Sequence, residues 1–298
     1  MREPIKNRYE FIILFDVENG NPNGDPDAGN MPRADQYSGY GLVTDGCIKH
    51  KIRKYVQLAK EGEAGYRIYI QNNAPLSKLN MEAYDYIGVK GDEIKDLKKT
   101  DPEADIKICD FMCSNFYDIR TFGAVLTTFQ KNALNCGQVC GPVQINIAKS
   151  IDPIVMQDLT ITRTAITTEK DFYEKSTEMG RKTIIPYALY RAEGYISANL
   201  AQKTTGFSEE DLELLWEAII NMFEHDHSAA RGKMTVRELI VFKHSNKMGD
   251  CSSYKLFDAV QVKHKDGVDN PMSYDDYEVI IHKDNIPEKV QILSLIHI

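Results

Sequence analysis

Apolar and polar positions recur along this chain with periods that predict both strands and helices. The run RYEFIILFDVE at residues 8–18 is apolar and rich in β-forming residues, so it predicts a buried strand. Residues 44–60 place apolar side chains on one helical stripe, which predicts a helix capped by Thr44 or Asp45. Residues 208–226 repeat that stripe behind a Ser-x-x-Asp sequence resembling a capping box, so a second helix is expected there.

The remaining apolar stretches predict further strands between and after these helices. They are residues 66–71, 141–150, 161–168, 184–201, 235–245 and 277–283. A helical segment from residue 106 should turn at Gly123, residues 72–105 have the polar composition of an insertion, and residues 151–185 form a hairpin-like excursion. This order predicts a single α+β domain over residues 1–298 with a split βαβ core, the ferredoxin-like arrangement of RNA-recognition modules.

The loop GNPNGDPDAGNMPRAD at residues 20–35 is too rich in glycine, proline, asparagine and aspartate for a helix or a central strand. It lacks the lysine of a phosphate-binding P-loop. Its spacing echoes an EF-hand, but the twelfth position is Asn30 instead of glutamate. A stiff irregular loop is the physical description that these residues favour.

Composition narrows the class of protein. The chain has 298 residues, a net charge of −8 and a pI of about 5.5, a balance that by itself argues against a nucleic-acid binder. No secretory leader and no apolar run of membrane-spanning length are recognisable, so we expect a cytoplasmic protein without a membrane partner. Two C-x-x-x-C pairs suit buried thiols on helical faces better than a zinc knuckle, and we expect no metal and no cofactor.

Several separated motifs, in order, resemble a known family. They are FDVENGNPNGDPDAGNMPR, DIRTFGAVL, GPVQI, TITRTAITT, MGRKTIIPYALYRAEGYISANLA and LELLWEAIINMFEHDHSAARG, which together cover about residues 8–260. The chain resembles the Cas-seven backbone subunit of the type I-C CRISPR interference complex, Cascade, in its Csd-two/Csh-two branch.

The resemblance implies a non-catalytic protein whose copies stack head to tail along CRISPR RNA. It implies an RNA-recognition-type core, a finger-like insertion and a thumb β-hairpin that interrupts the guide at intervals. The implied partners are CRISPR RNA, target DNA as a heteroduplex, further copies of the chain, other type I-C Cascade subunits, and a helicase–nuclease recruited by the complex.

Basic and aromatic residues in these motifs are the candidate RNA contacts. Lys49 and Arg53 lie four residues apart on one face of the first helix, where two cations can grip consecutive phosphates. Arg120 beside Phe122 and Gly123 combines charge, a stacking surface and a flexible backbone. The other candidates are cations on the loop, the strands and the excursion, namely Arg33, Lys149, Arg163, Arg181 and Lys182.

Two expectations concern particular segments. Met156 lies in the apolar stretch of DPIVMQD, and we expect it at the tip of the thumb hairpin, where it would wedge between bases. The last six residues, LSLIHI, match a translation of the mosaic end of a common sequencing transposon. We therefore expect residues 293–298 to be non-native and the native C-terminus to be missing.

Two other classes of function stay open at this point. Related backbone subunits of type III complexes cleave RNA, and the corresponding candidates here are Asp16, Asp25 and Asp27. The sequence EHDH at residues 224–227 offers histidines and acids to a metal-dependent phosphohydrolase, although solvated residues at a helix end are the simpler interpretation. The other class, after these two kinds of enzyme, is a structural protein that oligomerises without nucleic acid.

Overall fold

An antiparallel sheet of eight strands forms the centre of the structure, a computed structural model that describes residues 3–72, 74–89, 101–126, 137–163, 165 and 178–295. The described strands, in chain order, are β1 (Tyr9–Gly20), β2 (Gly24–Asp25), β3 (Met31–Pro32), β4 (Tyr40–Val43), β5 (Gly123–Val125), β6 (Gln138–Cys140), β7 (Val143–Ile145), β8 (Ala148–Pro153), β9 (Gln157–Arg163), β10 (Glu178–Ile196), β11 (Lys233–Lys243), β12 (Val260–His264), β13 (Tyr277–Ile281) and β14 (Gln291–Ser294). The main sheet runs β14–β11–β1–β10–β8–β4, and β7 and β9 also pair with β10.

Three helices lie where the sequence patterns predict them, at Asp45–Ala59, Ala104–Asn115 and Glu209–Asn221, whereas the strand predicted at 184–201 ends at Ile196 and helical turns follow it. The described helices are α1 (Asp45–Ala59), α2 (Leu76–Tyr86), α3 (Ala104–Asn115), α4 (Tyr117–Phe122), α5 (Ala198–Leu200), α6 (Glu209–Asn221) and α7 (Ser253–Asp258). A π-helical turn at Ala201–Thr205 follows α5, and short 3₁₀ turns cover Pro26–Ala28, Tyr274–Asp276 and Lys283–Asn285. No helix in the described part of the chain is both long enough and apolar enough to cross a bilayer.

Strand β1 is the central strand, and its alternation divides the core into two layers. On one face, Phe11, Ile13 and Phe15 pack with α1 and α6. On the other face, Ile12 and Leu14 pack with α7, β12 and β13. Because both faces of β1 are buried, its sequence reads as one continuous apolar run.

The second face of the sheet is covered by the C-terminal segment. Leu256 and Phe257 of α7, Val260 of β12 and Tyr277 of β13 lie in the same buried cluster as sheet residues Ile12, Leu14, Leu189, Ile240 and Phe242. Arg191 on β10 fixes this cover, donating to the carbonyls of Val260 at 2.7 Å and Phe257 at 2.8 Å. Protein therefore covers part of the face on which an RNA-recognition module would stack bases, and a cavity of about 910 Å³ remains there beside Lys149 and Arg191.

A smaller core lies in and beside the segment predicted to be an insertion. Helices α2 and α3 bury Leu79, Ala83, Ile108 and Met112 together with Phe116.

Predictions for the neighbouring segments have mixed outcomes. The helical start near residue 106 and the turn at Gly123 are confirmed, since Gly123 has a φ of 79°.

The predicted strand at residues 66–71 is wrong. The backbone amides of Tyr69 and Ile70 donate to the two carboxylate oxygens of Asp118, at 2.8 and 3.0 Å. Only Arg67 makes an isolated bridge, to Phe116. A buried carboxylate has thus taken the place of a strand partner, which no local pattern could reveal.

The excursion at residues 151–185 divides between two structures. Residues 151–153 complete β8 in the main sheet, and β9 then pairs with the first part of β10 from Gln157↔Ile184 to Arg163↔Glu178. The predicted strand at 161–168 is described only to Arg163, so most of that segment lies outside the described residues. At the other end of the chain, Leu293 of β14 pairs with Val241 of β11, and residues 296–298 lie outside the described residues.

Candidate nucleic-acid interface

The loop after β1 docks onto the N-terminus of α1. Thr44 caps the helix, its hydroxyl oxygen accepting from the Cys47 amide at 3.2 Å. The same hydroxyl and the Thr44 amide both donate to the Asn23 side-chain oxygen at 3.0 Å. A side chain at Gly20 would collide with the Arg231 carbonyl oxygen, so the loop also packs tightly against the 228–232 turn. The loop thereby fixes where α1 begins.

Helix α1 turns its apolar stripe to the sheet and leaves a polar face outside. Ile48, Ile52 and Val56 are buried in the main core. Because helical positions three or four residues apart share a face, the polar side chains of one outer stripe line a common cavity. These are His50, Arg53, Lys54 and Gln57.

A buried carboxylate organises the cations next to this stripe. Asp226 receives Lys51 at 2.5 Å, Lys54 at 2.7 Å and Arg231 at 2.8 Å. Burial alone would raise the pKa of Asp226, but the hydrogen bonds from Lys51 and Lys54 and the attraction of Arg231 outweigh it and hold that pKa below its usual range. Asp226 therefore stays ionised and positions three cations with a surplus of positive charge.

Two adjoining cavities form a groove along α1, which we call the α1 groove. The first has a volume of about 310 Å³ and lies between α1, residues 68–72 and the Asp226–Arg231 turn. The second, of about 590 Å³, extends past the C-terminal end of α1 towards Lys60 and Arg67. The two cavities share four lining residues, which are Lys54, Gln57, Ile68 and Gln71. The lining also includes the carboxylates of Asp226, Glu61 and Glu63, and Glu63 pairs with Lys60. The positive charge is therefore concentrated in the first cavity, at Arg53, Lys54 and Arg231, where it suits the phosphates of a polyanionic strand.

His50 adds a titratable group to the first cavity. Its partial burial lowers the pKa of the imidazole, and Lys51, Arg231 and Arg53 lower it further, against the opposing attraction of Asp226. The imidazole is therefore mainly neutral at pH 7 in the free protein. The groove's charge at neutral pH comes from its lysines and arginines.

The two cations predicted on α1 are held around one aromatic ring. Arg53 donates to Asp118 at 2.9 Å and Lys49 pairs with Asp45 at 3.0 Å. Both charges also lie over the Phe122 ring, at 5.3 and 5.7 Å from its centroid. Phe122 is buried beneath them, so it is a platform for the cations and not an open stacking surface. Of this pair, only Arg53 lines the α1 groove.

Arg120 does not lie at the protein surface, contrary to the sequence prediction. Its side chain is 3% exposed and donates to both carboxylate oxygens of Asp211, at 2.8 and 2.7 Å. A third bond reaches the Cys113 carbonyl at 2.8 Å. The guanidinium is a structural link between α4 and the start of α6 and cannot reach an external phosphate. Gly123 follows it in a left-handed conformation, where a side chain would collide with the Val139 carbonyl.

The other predicted cations are dispersed. Arg33 is half-buried and its guanidinium lies 3.4 Å from Asp25, while Lys149 is exposed over the Tyr40 ring at 4.2 Å. Arg181 is exposed on β10, and the neighbouring Lys182 donates to the Ala229 carbonyl. Arg163 ends β9, and its side chain lies outside the described residues. These positions do not converge on the α1 groove.

Met156 does not lie at a hairpin tip, where the sequence placed it. The residue is 37% exposed and lies between β8 and β9, next to the pair Gln157↔Ile184 at the root of the hairpin. Among the described pairs of the hairpin, Arg163↔Glu178 is the one farthest from Met156. The expectation assumed that residues 151–156 were part of the hairpin, whereas residues 151–153 pair within the main sheet.

Two of the three acidic candidates for catalysis, Asp16 and Asp25, are engaged in other contacts, and Asp27 is exposed on the first 3₁₀ turn. Asp16 is buried, pairs with Arg237 at 2.9 Å and accepts from the Tyr187 hydroxyl at 3.2 Å. Asp25 caps the 3₁₀ turn through the Asp27 amide at 3.1 Å. Within the described ranges, no group of three or more His, Cys, Asp or Glu side chains has a metal-binding arrangement. In EHDH, the central role of Asp226 is to receive lysines and an arginine.

Sequence reasoning missed His50, Lys54, Arg231, Gln57 and Gln71 as groove residues. The spacing of positions 50, 54 and 57 was available as a signal, because these positions share one helical face with Arg53. The contributions of Gln71 and Arg231 depend on the fold, since both residues lie outside α1 and only folding brings them to its outer face.

Comparison with known proteins gives the family. Residues 7–282 match the family described as CRISPR-associated protein Cas7. The chain belongs to the CRISPR-associated protein Cas7 family. A curated relative of that name from Haloferax volcanii is 26% identical over 233 residues, which is 72% of this chain and 65% of the relative. The chain thus spans less than two thirds of that relative's length.

Similar solved structures come from CRISPR assemblies. One, titled a CRISPR RNA-guided surveillance complex in a pre-nicking state, is 14% identical with a TM-score of 0.48, covering 79% of this chain and 78% of its own. Another, titled a CRISPR RNA-guided surveillance complex, is 12% identical with a TM-score of 0.47, covering 88% and 78%. A type III-B Cmr-beta structure bound to cognate target RNA is 12% identical with a TM-score of 0.41, covering 79% and 61%.

Proposed function

We propose that this Cas7-family chain is the CRISPR RNA-binding backbone subunit of a type I-C Cascade and acts in antiviral defence. The observation that carries the proposal is the α1 groove, whose first cavity gathers Arg53, Lys54 and Arg231 in a chain of this family. Lys54 and Arg231 are its principal phosphate contacts, because both line the first cavity and both are partly exposed. Their common partner Asp226 holds them in place.

The proposed architecture is an RNA-recognition-type core with two additions. Strands β11–β1–β10–β8, with α1 and α6 against one face, follow the order of a split βαβ core, which supports that assignment. The insertion at about 72–105 would be the finger and the β9–β10 hairpin the thumb. Copies of the chain would stack along the guide, with other type I-C subunits at the ends.

The subunit's role in this proposal is to present the guide and not to cut nucleic acid. Target DNA would be bound as a heteroduplex and cleaved by a helicase–nuclease recruited to the complex in the cytoplasm. Arg53 contributes to the groove, whereas Arg33, Lys49, Lys149, Arg163, Arg181 and Lys182 remain proposed RNA contacts outside it, with Met156 at the root of the thumb. Sequence would be read by base pairing, as in RNA-guided effectors generally.

The test is RNA capture by the chain expressed with a CRISPR array. We expect a raised 260/280 absorbance ratio that RNase abolishes and DNase does not, with array-derived RNA on a denaturing gel. The double variant Lys54→Ala/Arg231→Ala should bind RNA more weakly and flatten the salt dependence by about 0.7 per lost contact in log–log slope. Lys263→Ala is the control, since this exposed lysine lies on β12, on the opposite side of the sheet.

Three outcomes would contradict the proposal. Protein free of RNA in the presence of the array would favour a structural oligomer. RNA turnover that requires a divalent metal would favour a type III ribonuclease. Equal salt slopes for the double variant and the wild type would exclude the α1 groove as the RNA site.

A further inference from the structure

Two glutamines bridge the α1 groove at the junction of its cavities. The Gln57 side-chain amide on α1 donates to the Gln71 side-chain oxygen at 3.2 Å. Both residues line both cavities, so a strand following the groove passes this pair. Neither side chain carries charge, so neither adds to the long-range electrostatic attraction of phosphates.

The bridge leaves one whole carbonyl oxygen and one whole amino group of the pair for a ligand. After it forms, the Gln57 carbonyl oxygen and the Gln71 amino group have no other partner within the described residues. If oxygen and nitrogen are exchanged in both amides, Gln71 donates to Gln57 instead. One carbonyl oxygen and one amino group are again left over. The pair therefore offers a complementary site to a group that donates one hydrogen bond and accepts another.

The ribose 2′-hydroxyl is such a group, and deoxyribose lacks it. We propose that Gln57 and Gln71 recognise the 2′-hydroxyl of a nucleotide whose phosphate is held by Lys54, so that the α1 groove selects RNA over DNA of the same sequence. This inference rests on the proposed function and adds the basis of its selectivity. Lys54 lines both cavities with the glutamines, which places phosphate and sugar contacts side by side, as they are in a nucleotide backbone.

The location of the pair also separates it from base recognition. Ile68, which lines both cavities beside the pair, is buried and offers no hydrogen bond to a base, and Lys54 beside it offers only a charge for phosphate. A uniform backbone site on the groove suits a protein that must accept any guide sequence, because every ribonucleotide carries the same hydroxyl.

The experiment compares three uridine oligonucleotides of equal length with ribose, 2′-deoxyribose and 2′-fluororibose sugars. All three have the same base and phosphates, and the fluoro sugar keeps an RNA-like shape but cannot donate a hydrogen bond. We expect the wild-type chain to bind the ribose form about tenfold more tightly than either analogue, the effect of about one to two net hydrogen bonds.

Variants assign that preference to the pair. Gln57→Ala/Gln71→Ala should lose most of it, with deoxyuridine affinity and salt slope unchanged. Lys54→Ala should weaken all three oligonucleotides together while the ratio persists. Gln261→Ala, an amide in the cavity on the opposite sheet face, is the matched control and should behave as wild type.

The outcomes separate this inference from the proposed function. A wild-type chain that binds no oligonucleotide would overturn both. Equal affinity for ribose and deoxyribose forms, or a fluoro form bound as tightly as ribose, would overturn the recognition of the hydroxyl while leaving RNA coating intact. Undiminished preference in the double glutamine variant would assign selectivity elsewhere.

Discussion

At the scale of residues, buried charges account for much of this chain's architecture. Arg120 and Asp211 are 91 positions apart in the sequence, and each is almost completely buried. Asp211 also completes the capping box of α6 with Ser208. One carboxylate thus serves both a helix start and an ion pair, so removal of its partner leaves a charge in the interior without compensation.

The first prediction follows from this burial. Arg120→Met should lower the free energy of unfolding by about 3–5 kcal/mol, because Asp211 loses a bidentate partner in a dry environment. Urea denaturation of the free protein measures the change. Arg181→Met, at an exposed position, is the control and should have little effect on stability. An unchanged unfolding midpoint together with weakened RNA binding would return Arg120 to the RNA interface.

Asp226 leads to a prediction about pH. The pKa of Asp226 is lowered in the folded protein, so its ion pairs stabilise the fold at pH values above the usual pKa of an aspartate. That stabilisation is lost as the pH falls through the lowered pKa. Asp226→Asn leaves Lys51 buried without a countercharge and should cost about 3 kcal/mol at pH 7. In urea titrations, the gap between variant and wild type should narrow below about pH 4, where the unfolded chain's aspartates protonate. A gap that is constant down to pH 2 would contradict the assignment.

At the scale of elements, the loop after β1 and helix α1 behave as one unit. A chain of hydrogen bonds runs from the Cys47 amide through the Thr44 hydroxyl to the side-chain oxygen of Asn23. The loop's unusual composition is thereby explained as docking geometry, because Gly20, Asn30 and their neighbours fit where ordinary residues would collide or be strained. The groove depends on this docking, since the loop sets the position of α1.

Asn23 is the residue that tests this unit. Asn23→Ala should lower the free energy of unfolding by about 1–2 kcal/mol, because the Thr44 amide and hydroxyl lose their acceptor. Asn23→Asp keeps the acceptor and adds a negative charge near a helix N-terminus, so it should stay within about 0.5 kcal/mol of wild type. Thermal denaturation, monitored by circular dichroism, compares the two variants. Equal losses in both variants would show that the loop does not depend on this oxygen.

Local patterns predicted the elements whose causes are local. The members of the α1 stripe are three or four positions apart, and Ser208 is three positions from Asp211. Each of these features is therefore visible in a short stretch of sequence. The segment at 66–71 failed because its amides bond to Asp118, a side chain about fifty positions away. The α1 groove could be predicted only in part. The spacing of the basic residues indicates the outer face of α1, but Gln71 and Arg231 reach that face only in the folded chain.

At the scale of the whole molecule, the two sheet faces have different roles. The net charge of −8 indicates no polyanion partner, yet the cations that line the α1 groove are gathered on the helix side. The opposite face is partly covered by α7, β12 and β13, and a cavity that includes Gln261 remains on it. Under the proposed function, RNA would lie mainly on the helix side, and Lys149, which lines the cavity on the other face, would be a separate contact.

Arg191 provides the last prediction, because it fastens that cover to β10. Arg191→Met leaves the Phe257 and Val260 carbonyls without this donor and should cost about 2 kcal/mol. The loosened cover should expose apolar sheet residues, so the fluorescence of a hydrophobic dye should rise at urea concentrations that leave Lys263→Met, the control on β12, unchanged. RNA affinity of the folded variant should equal that of wild type, because the α1 groove lies across the sheet. Lost affinity with intact circular dichroism would instead mean that RNA binds the sheet face and that the C-terminal cover takes part in holding it.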